Sequence, residues 1–111
     1  MSHELDALIA APQHHKLLFE NEMVRVLDAN IPAGEKTNLH EHRYAASLDF
    51  ISWSDFIRYD ADGNVMFDSR SLENIPLPGT AIWSDPLAAH ALKNVGENNL
   101  HVICVEIKTK R

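Results

Sequence analysis

Gly34-Glu35-Lys36-Thr37-Asn38-Leu39-His40-Glu41-His42 is the stretch on which the reading of this chain turns. Successive side chains of a strand point to opposite faces, so the imidazoles of His40 and His42 project together while Glu41 points away. A strand thereby offers two neighbouring nitrogens to one ion, and neutral imidazole binds first-row divalent metals at roughly 2.0–2.2 Å. A lone His-x-His pair is equally at home on a solvated strand, so the pair takes its meaning from its surroundings. Gly34 falls in a turn after Pro32, with five residues between it and His40, and a third histidine lies far downstream in Ala89-His90-Ala91-Leu92-Lys93-Asn94.

Outward from this stretch the pattern is one of short strands and turns. Met23 to Ala29 alternates apolar and polar side chains, as a half-buried strand does. Further strands are expected at His15–Phe19, Thr37–His42, Ser47–Trp53, Ser54–Tyr59, Val65–Phe67, Thr80–Trp83, Ala89–Val95 and Leu100–Ile107. Asp62-Gly63 between two apolar runs signals a hairpin. Pro76–Gly79 marks another turn, and Gly96–Asn99 joins the last two strands. At the N-terminus, Leu5, Leu8 and Ile9 share a helical face over Ser2–Ala11, with Ser2 as the cap and Pro12 as the stop. Residues 1–12 are thus expected to be a helical extension packed outside an all-β domain of residues 13–108, a sandwich or barrel.

The spacing of the motif residues resembles that of the cupin superfamily. Gly34, His40 and His42 match its first motif, and Gly79, His90 and Asn94 match its second. The resemblance implies a small cupin β-barrel, a double-stranded β-helix. It also implies one divalent metal ion held by His40, His42 and His90, with Gly34, Gly79 and Asn94 in structural roles. Three departures stand out. The glutamate of the first motif falls on Ala46 or Ser47, its closing glycine falls on Ser54, and Asp85-Pro86-Leu87 replaces the Pro-x-Gly of the second. Asp49, two positions beyond the glutamate's place, is the available carboxylate for that role. Short cupins found with β-alanine degradation genes show the nearest likeness, carried by His15–Asn21, Val24–Leu27, Ile31–Thr37 and Asn94–Gly96.

Three neutral ligands leave the ion's charge uncompensated and roughly two or three coordination positions open for water, dioxygen or a chelating substrate. Similarity to three-histidine cupin dioxygenases implies Fe(II), with zinc, nickel or manganese as other ions such ligands accept. The expected function is oxygen-dependent chemistry on a small anionic or carbonyl metabolite. The alternative is a non-catalytic module that binds a metal or a small ligand. Arg43 and Tyr44, which follow His42, and Trp83 are the expected substrate contacts, since a guanidinium pairs bidentately with a carboxylate.

Composition narrows the partners. Sixteen acids against ten bases give a net charge of −6, which disfavours nucleic acid, whose phosphates need a clustered basic surface. No apolar run nears the ~20 residues of a membrane span, and Met1–Glu4 lacks the basic start of a secretion signal, so a cytoplasmic location is expected. Cys104 is the only cysteine, which excludes an intrachain disulfide, and inside an apolar strand it should be a small hydrophobe. No hydrolase elbow or glycine-rich phosphate loop is present. Of the seven histidines, His14 and His15 are expected as edge residues facing opposite ways. His101 is expected in the core with Ile103, Val105 and Ile107. The cupin resemblance further implies a homodimer, whose pairing would cover edge strands.

Overall fold

The computed structural model describes residues 4–108. They form one helical turn, α1 (Ala7–Ala10), and the strands β1 (His15–Glu20), β2 (Val24–Ile31), β3 (His40–His42), β4 (Ala46–Ser52), β5 (Phe56–Asp60), β6 (Val65–Asp68), β7 (Ala81–Ser84), β8 (Leu87–Asn94) and β9 (Leu100–Ile107). A 3₁₀ turn at Ser69–Ser71 follows β6. Two antiparallel sheets result, one in the order β1-β2-β9-β4-β7 and the other β3-β8-β5-β6. The all-β architecture and the strand positions agree with the sequence reading to within a few residues at each end.

Register fixes which residues face the space between the sheets. In the five-stranded sheet, Leu27 pairs with Cys104, Ala29 with Val102 and Ile31 with Leu100, and on the other flank of β9 Phe50 pairs with Val102. These side chains are all buried and, with Phe56 from the second sheet, make up the core. Each large one removed from water contributes about 1.5–3 kcal/mol. Burial pushes the Cys104 thiol up to about 12, so it is inert as a nucleophile. The inward face of β9 is thus Leu100, Val102, Cys104 and Glu106. The sequence reading had chosen the opposite face for the core. His101 instead lies on the outer surface with Ile103, Val105 and Ile107, its Nε2 2.9 Å from Asp28 Oδ2.

Turns hold the register. Gly34 has φ +82°, a value that side chains with a Cβ rarely adopt, and its N–H donates to the Asn94 carbonyl at 3.1 Å. Asn94 has no exposed surface and all its amide groups are engaged: Nδ2 donates to the Ile31 and Asn98 carbonyls, while Oδ1 accepts from Ser54 Oγ and the Gly96 N–H. A Cβ at Gly96 would collide with the Ser54 side chain, so this packing also requires glycine. Gly79 ends the Pro76–Gly79 turn and donates to the Phe50 carbonyl at 3.0 Å.

Two elements are shorter than the sequence pattern predicts. Thr37 lies outside β3 because its hydroxyl, not a ladder partner, accepts the Leu92 N–H at 3.0 Å. α1 is a single turn because the chain before it is committed elsewhere. Asp6 bridges to Glu41, whose N–H donates to the Leu5 carbonyl at 2.6 Å. Asp6 caps the turn through Oδ2 to the Leu8 N–H; the expected cap, Ser2, lies outside the described residues. One face of this segment is buried, with Ala7 and Ala11 fully so, while Ile9 is 63% exposed, and α1 packs on the edge strands of both sheets, β1 and β3. Among the described residues no helix is long and apolar enough to cross a membrane.

Candidate metal centre

The two sheets enclose a cavity of about 80 Å³, walled mostly by apolar side chains and lined at one end by four histidines. His40 stands opposite His90 in the pairing of β3 with β8, and their ring centroids are 4.5 Å apart. His42 follows after a register shift, 5.0 Å from His40 and 5.5 Å from His90. The three motif histidines therefore share one site. The fourth ring is His15, the first residue of β1, which lies 4.6 Å from His40 and 5.5 Å from His42. The tightest group of candidate ligand atoms is that of His15, His40 and His42, all within 4.8 Å of one another.

His15 was expected at an edge, and its burial has a simple cause. Adjacent residues on a strand face opposite ways. His14 turns outward to Glu35, with Nε2 2.8 Å from Oε1, which sends His15 inward opposite Ala29. The same alternation that prevents the two from chelating together delivers one of them to the cavity.

In all four rings the hydrogen bond engages Nδ1. His15 Nδ1 lies 3.0 Å from the Ala11 carbonyl, His40 Nδ1 2.7 Å from that of Asn38, and His90 Nδ1 2.7 Å from that of Ala88. His42 Nδ1 faces Glu106 Oε2 at 3.2 Å. A carbonyl or carboxylate oxygen only accepts, so each Nδ1 carries the proton and the lone pair sits on Nε2. Burial, the largest cause, lowers the pKa of His15 and His40 to about 3 and that of His90 to about 4. These three rings are therefore neutral at pH 7, the form that can donate to a metal. Neutral imidazoles with their far nitrogens tied suit a first-row divalent ion, and His15, His40 and His42 are the three whose ligand atoms lie close enough together to share one.

Behind His42 runs a buried ionic chain that sequence reasoning missed. Glu106, 1% exposed, uses Oε2 for His42 and accepts from Arg25 Nε through Oε1 at 2.8 Å. Arg25 reaches on to Asp6 with both terminal nitrogens, at 3.1 and 2.7 Å. Burial by itself would lower the Arg25 pKa, but its two carboxylate partners outweigh that and raise it. Burial would likewise raise that of Asp6, and Arg25 more than offsets it. The available signal was the acid at the end of an otherwise apolar strand, on the same alternation as Cys104 and Val102.

The remaining expected contacts divide. Tyr44 lines the cavity, whereas Arg43 and Trp83 do not. Arg43 Cζ lies 4.8 Å over the Tyr44 ring. Trp83 is 60% exposed on the outer face of β7 and donates to Asp85 Oδ1. Ala46, at the place of the motif glutamate, faces inward opposite Glu106. Asp49 pairs with Ala81 and Ile103 on the outward face, which removes it as a replacement for that glutamate. Arg58, which the sequence reading passed over, does line the cavity.

No protein-family model and no curated protein matches the sequence. Solved structures do. A cupin domain from Bordetella pertussis aligns with TM-score 0.67 and 18% identity over 86% of this chain and 92% of its own. An RmlC-like cupin with a double-stranded β-helix from Methanocaldococcus jannaschii aligns with TM-score 0.58 and 15% identity over 84% and 77%. The polyketide cyclase RemF from Streptomyces resistomycificus aligns with TM-score 0.54 and 13% identity over 86% and 64%. Together with the two facing antiparallel sheets and the histidines between them, these likenesses identify the fold of this chain as the cupin double-stranded β-helix.

Proposed function

We propose that this protein is a metal-dependent small cupin. In this reading one divalent ion is held by Nε2 atoms of His40, His42 and His90, joined by His15, and a small anionic or carbonyl metabolite is bound beside it. The observation that carries the reading is the uniform set of Nδ1 hydrogen bonds, which turns four Nε2 lone pairs loose in one buried cavity. A bound ion supplies Lewis-acid polarisation of a chelating oxygen and, as Fe(II), reactivity toward dioxygen. The protein's part is to orient the imidazoles and to exclude bulk water with Leu48, Phe50, Leu92 and Val102. In this reading Tyr44, which lines the cavity, contacts the metabolite, whereas Arg43 and Trp83 would have to act from outside it.

Oxygen-dependent turnover in the cytoplasm is the lead form of this proposal. A non-catalytic module that binds metal or metabolite is the second, favoured because, among the described residues, the one carboxylate lining the cavity is Glu106, which is already engaged. The likeness to short cupins found with β-alanine degradation genes guides which compounds to screen. Metal analysis of wild type and His42→Ala, purified without chelator or tag histidines, tests the reading. One equivalent of metal in wild type, lost in the variant, supports it, and oxygen uptake after Fe(II) loading separates enzyme from module. A wild type that takes up no metal on reconstitution overturns it.

We also infer a homodimer. Across the outer face of the five-stranded sheet, Phe19, Val26, Val105, Ser47 and Trp83 are consecutive register partners. Phe19 and Trp83 are 54% and 60% exposed at the two ends of this row. An apolar band of that kind is what a second copy would cover.

A further inference from the structure

Among the described residues, Arg58 is the charged group lining the cavity that the fold leaves without a counter-charge. Its neighbours on β8 and β6 are Leu92 and Phe67, and Asp60, two residues on, pairs with His90. It lines the same cavity as His40 and His90. Among the described residues it makes no hydrogen bond or ion pair, and its Nε is a fully buried donor with no acceptor. Two aromatic rings hold it, with Cζ 5.5 Å from the Phe56 centroid and 5.8 Å from that of Phe67.

The chain treats other arginines differently. Arg25 binds two carboxylates, and Arg70 forms a fork-to-fork pair with Asp68. Arg58 is half-buried, with Nε fully out of water, and a guanidinium in that position normally has an anion as its partner. Glu106 cannot serve, since both its oxygens are already taken by Arg25 and His42. A divalent ion on neutral imidazoles would add further uncompensated positive charge to the same cavity. The missing negative charge must then arrive with the ligand.

We propose that Arg58 anchors a carboxylate of the small molecule that occupies this cavity, leaving a second oxygen donor of the same molecule to face the histidines. The inference rests on the reading of the cavity as a metal and metabolite site, and it narrows the metabolite to compact carboxylates with an adjacent carbonyl or hydroxyl. Planar guanidinium matches carboxylate with two parallel hydrogen bonds, which an ammonium cannot reproduce. A cavity of about 80 Å³ suits a compact ligand of this kind.

Pyruvate and its uncharged analogue pyruvamide are the probes. Their binding to wild type, Arg58→Lys and Arg58→Gln would be measured by calorimetry, with and without Ni(II), alongside metal content and circular dichroism of each sample. The expected result is equal metal content in all three proteins and pyruvate binding weakened roughly 10- to 100-fold in Arg58→Gln. Arg58→Lys should fall between, and pyruvamide should bind weakly throughout. Folded Arg58→Gln that binds pyruvate as wild type does overturns the proposal. So does a metal-loaded wild type that takes up neither pyruvate nor other two- to five-carbon carboxylates. Arg58-dependent pyruvate binding in a protein that holds no metal would retain the anchor and defeat the metal reading instead.

Discussion

Glu106 Oε2 lies 3.2 Å from His42 Nδ1, so a carboxylate on β9 sets the tautomer of an imidazole on β3 from behind. The first cupin motif lacks its glutamate here, and Ala46 at that place pairs in register with Glu106. The carboxylate of this site thus approaches from the neighbouring strand and acts on a ligand ring, with its other oxygen held by Arg25.

Glu106→Gln should therefore weaken metal binding by about 10- to 100-fold, the usual worth of a ligand's outer hydrogen-bond partner. Competition with a chromophoric chelator measures this. An unchanged affinity would mean that the ring is oriented by packing alone.

His15→Ala should reduce metal affinity by ~100-fold or more, beyond what an outer partner contributes. His14→Ala, which removes only the contact to Glu35, should leave it unchanged. The same titration on both variants decides whether His15 is a ligand or a neutral wall of the cavity; equal affinities would exclude it as a ligand.

Arg25→Met would strip Asp6 and Glu106, 4% and 1% exposed, of the guanidinium that binds them both. The expected loss is about 3–5 kcal/mol of folding stability, read from urea denaturation. A loss below about 1 kcal/mol would show that the two acids find other partners or water.

Acid should unfold the metal-free protein early. The folded pKa values of His15, His40 and His90, about 3, 3 and 4, lie below the ordinary 6.5. Between these limits the unfolded chain binds more protons than the folded one. Stability is therefore complete above the ordinary value and falls as pH drops below it, by about 1.4 kcal/mol per pH unit for each ring. A cooperative loss of circular dichroism between about pH 6 and 4 is expected, and a barrel still folded at about pH 3.5 would contradict it.

Trp83→Glu and Phe19→Lys should turn a dimer into a monomer in sedimentation equilibrium without loss of metal, because both side chains are on the face away from the cavity. A wild type that sediments as a monomer removes the self-association proposal.

The strands were legible in the sequence because alternation and turn chemistry are local. Asp62-Gly63 produced its hairpin, with Asp60 Oδ1 accepting the Asp62 and Asn64 N–H groups. His40 and His42 were legible as a pair for the same reason, since period two places them on one face whatever lies opposite. The inward face of β9 was not, because both of its faces are largely apolar and only the pairing with β2 and β4 chooses between them. That choice put Glu106 inside and His101 outside. His15 and Arg58 were likewise undecided, each lying on a strand whose neighbours in sequence give no sign of what stands across the cavity. Sequence alone therefore determined the elements and the pair His40 and His42, which depend on contacts a few residues apart, while the motif resemblance singled out His90. Only the tertiary structure decided the fourth ring, the Asp6–Arg25–Glu106 chain and the unpartnered guanidinium, because each is made by residues far apart in the chain whose burial depends on how the two sheets face one another.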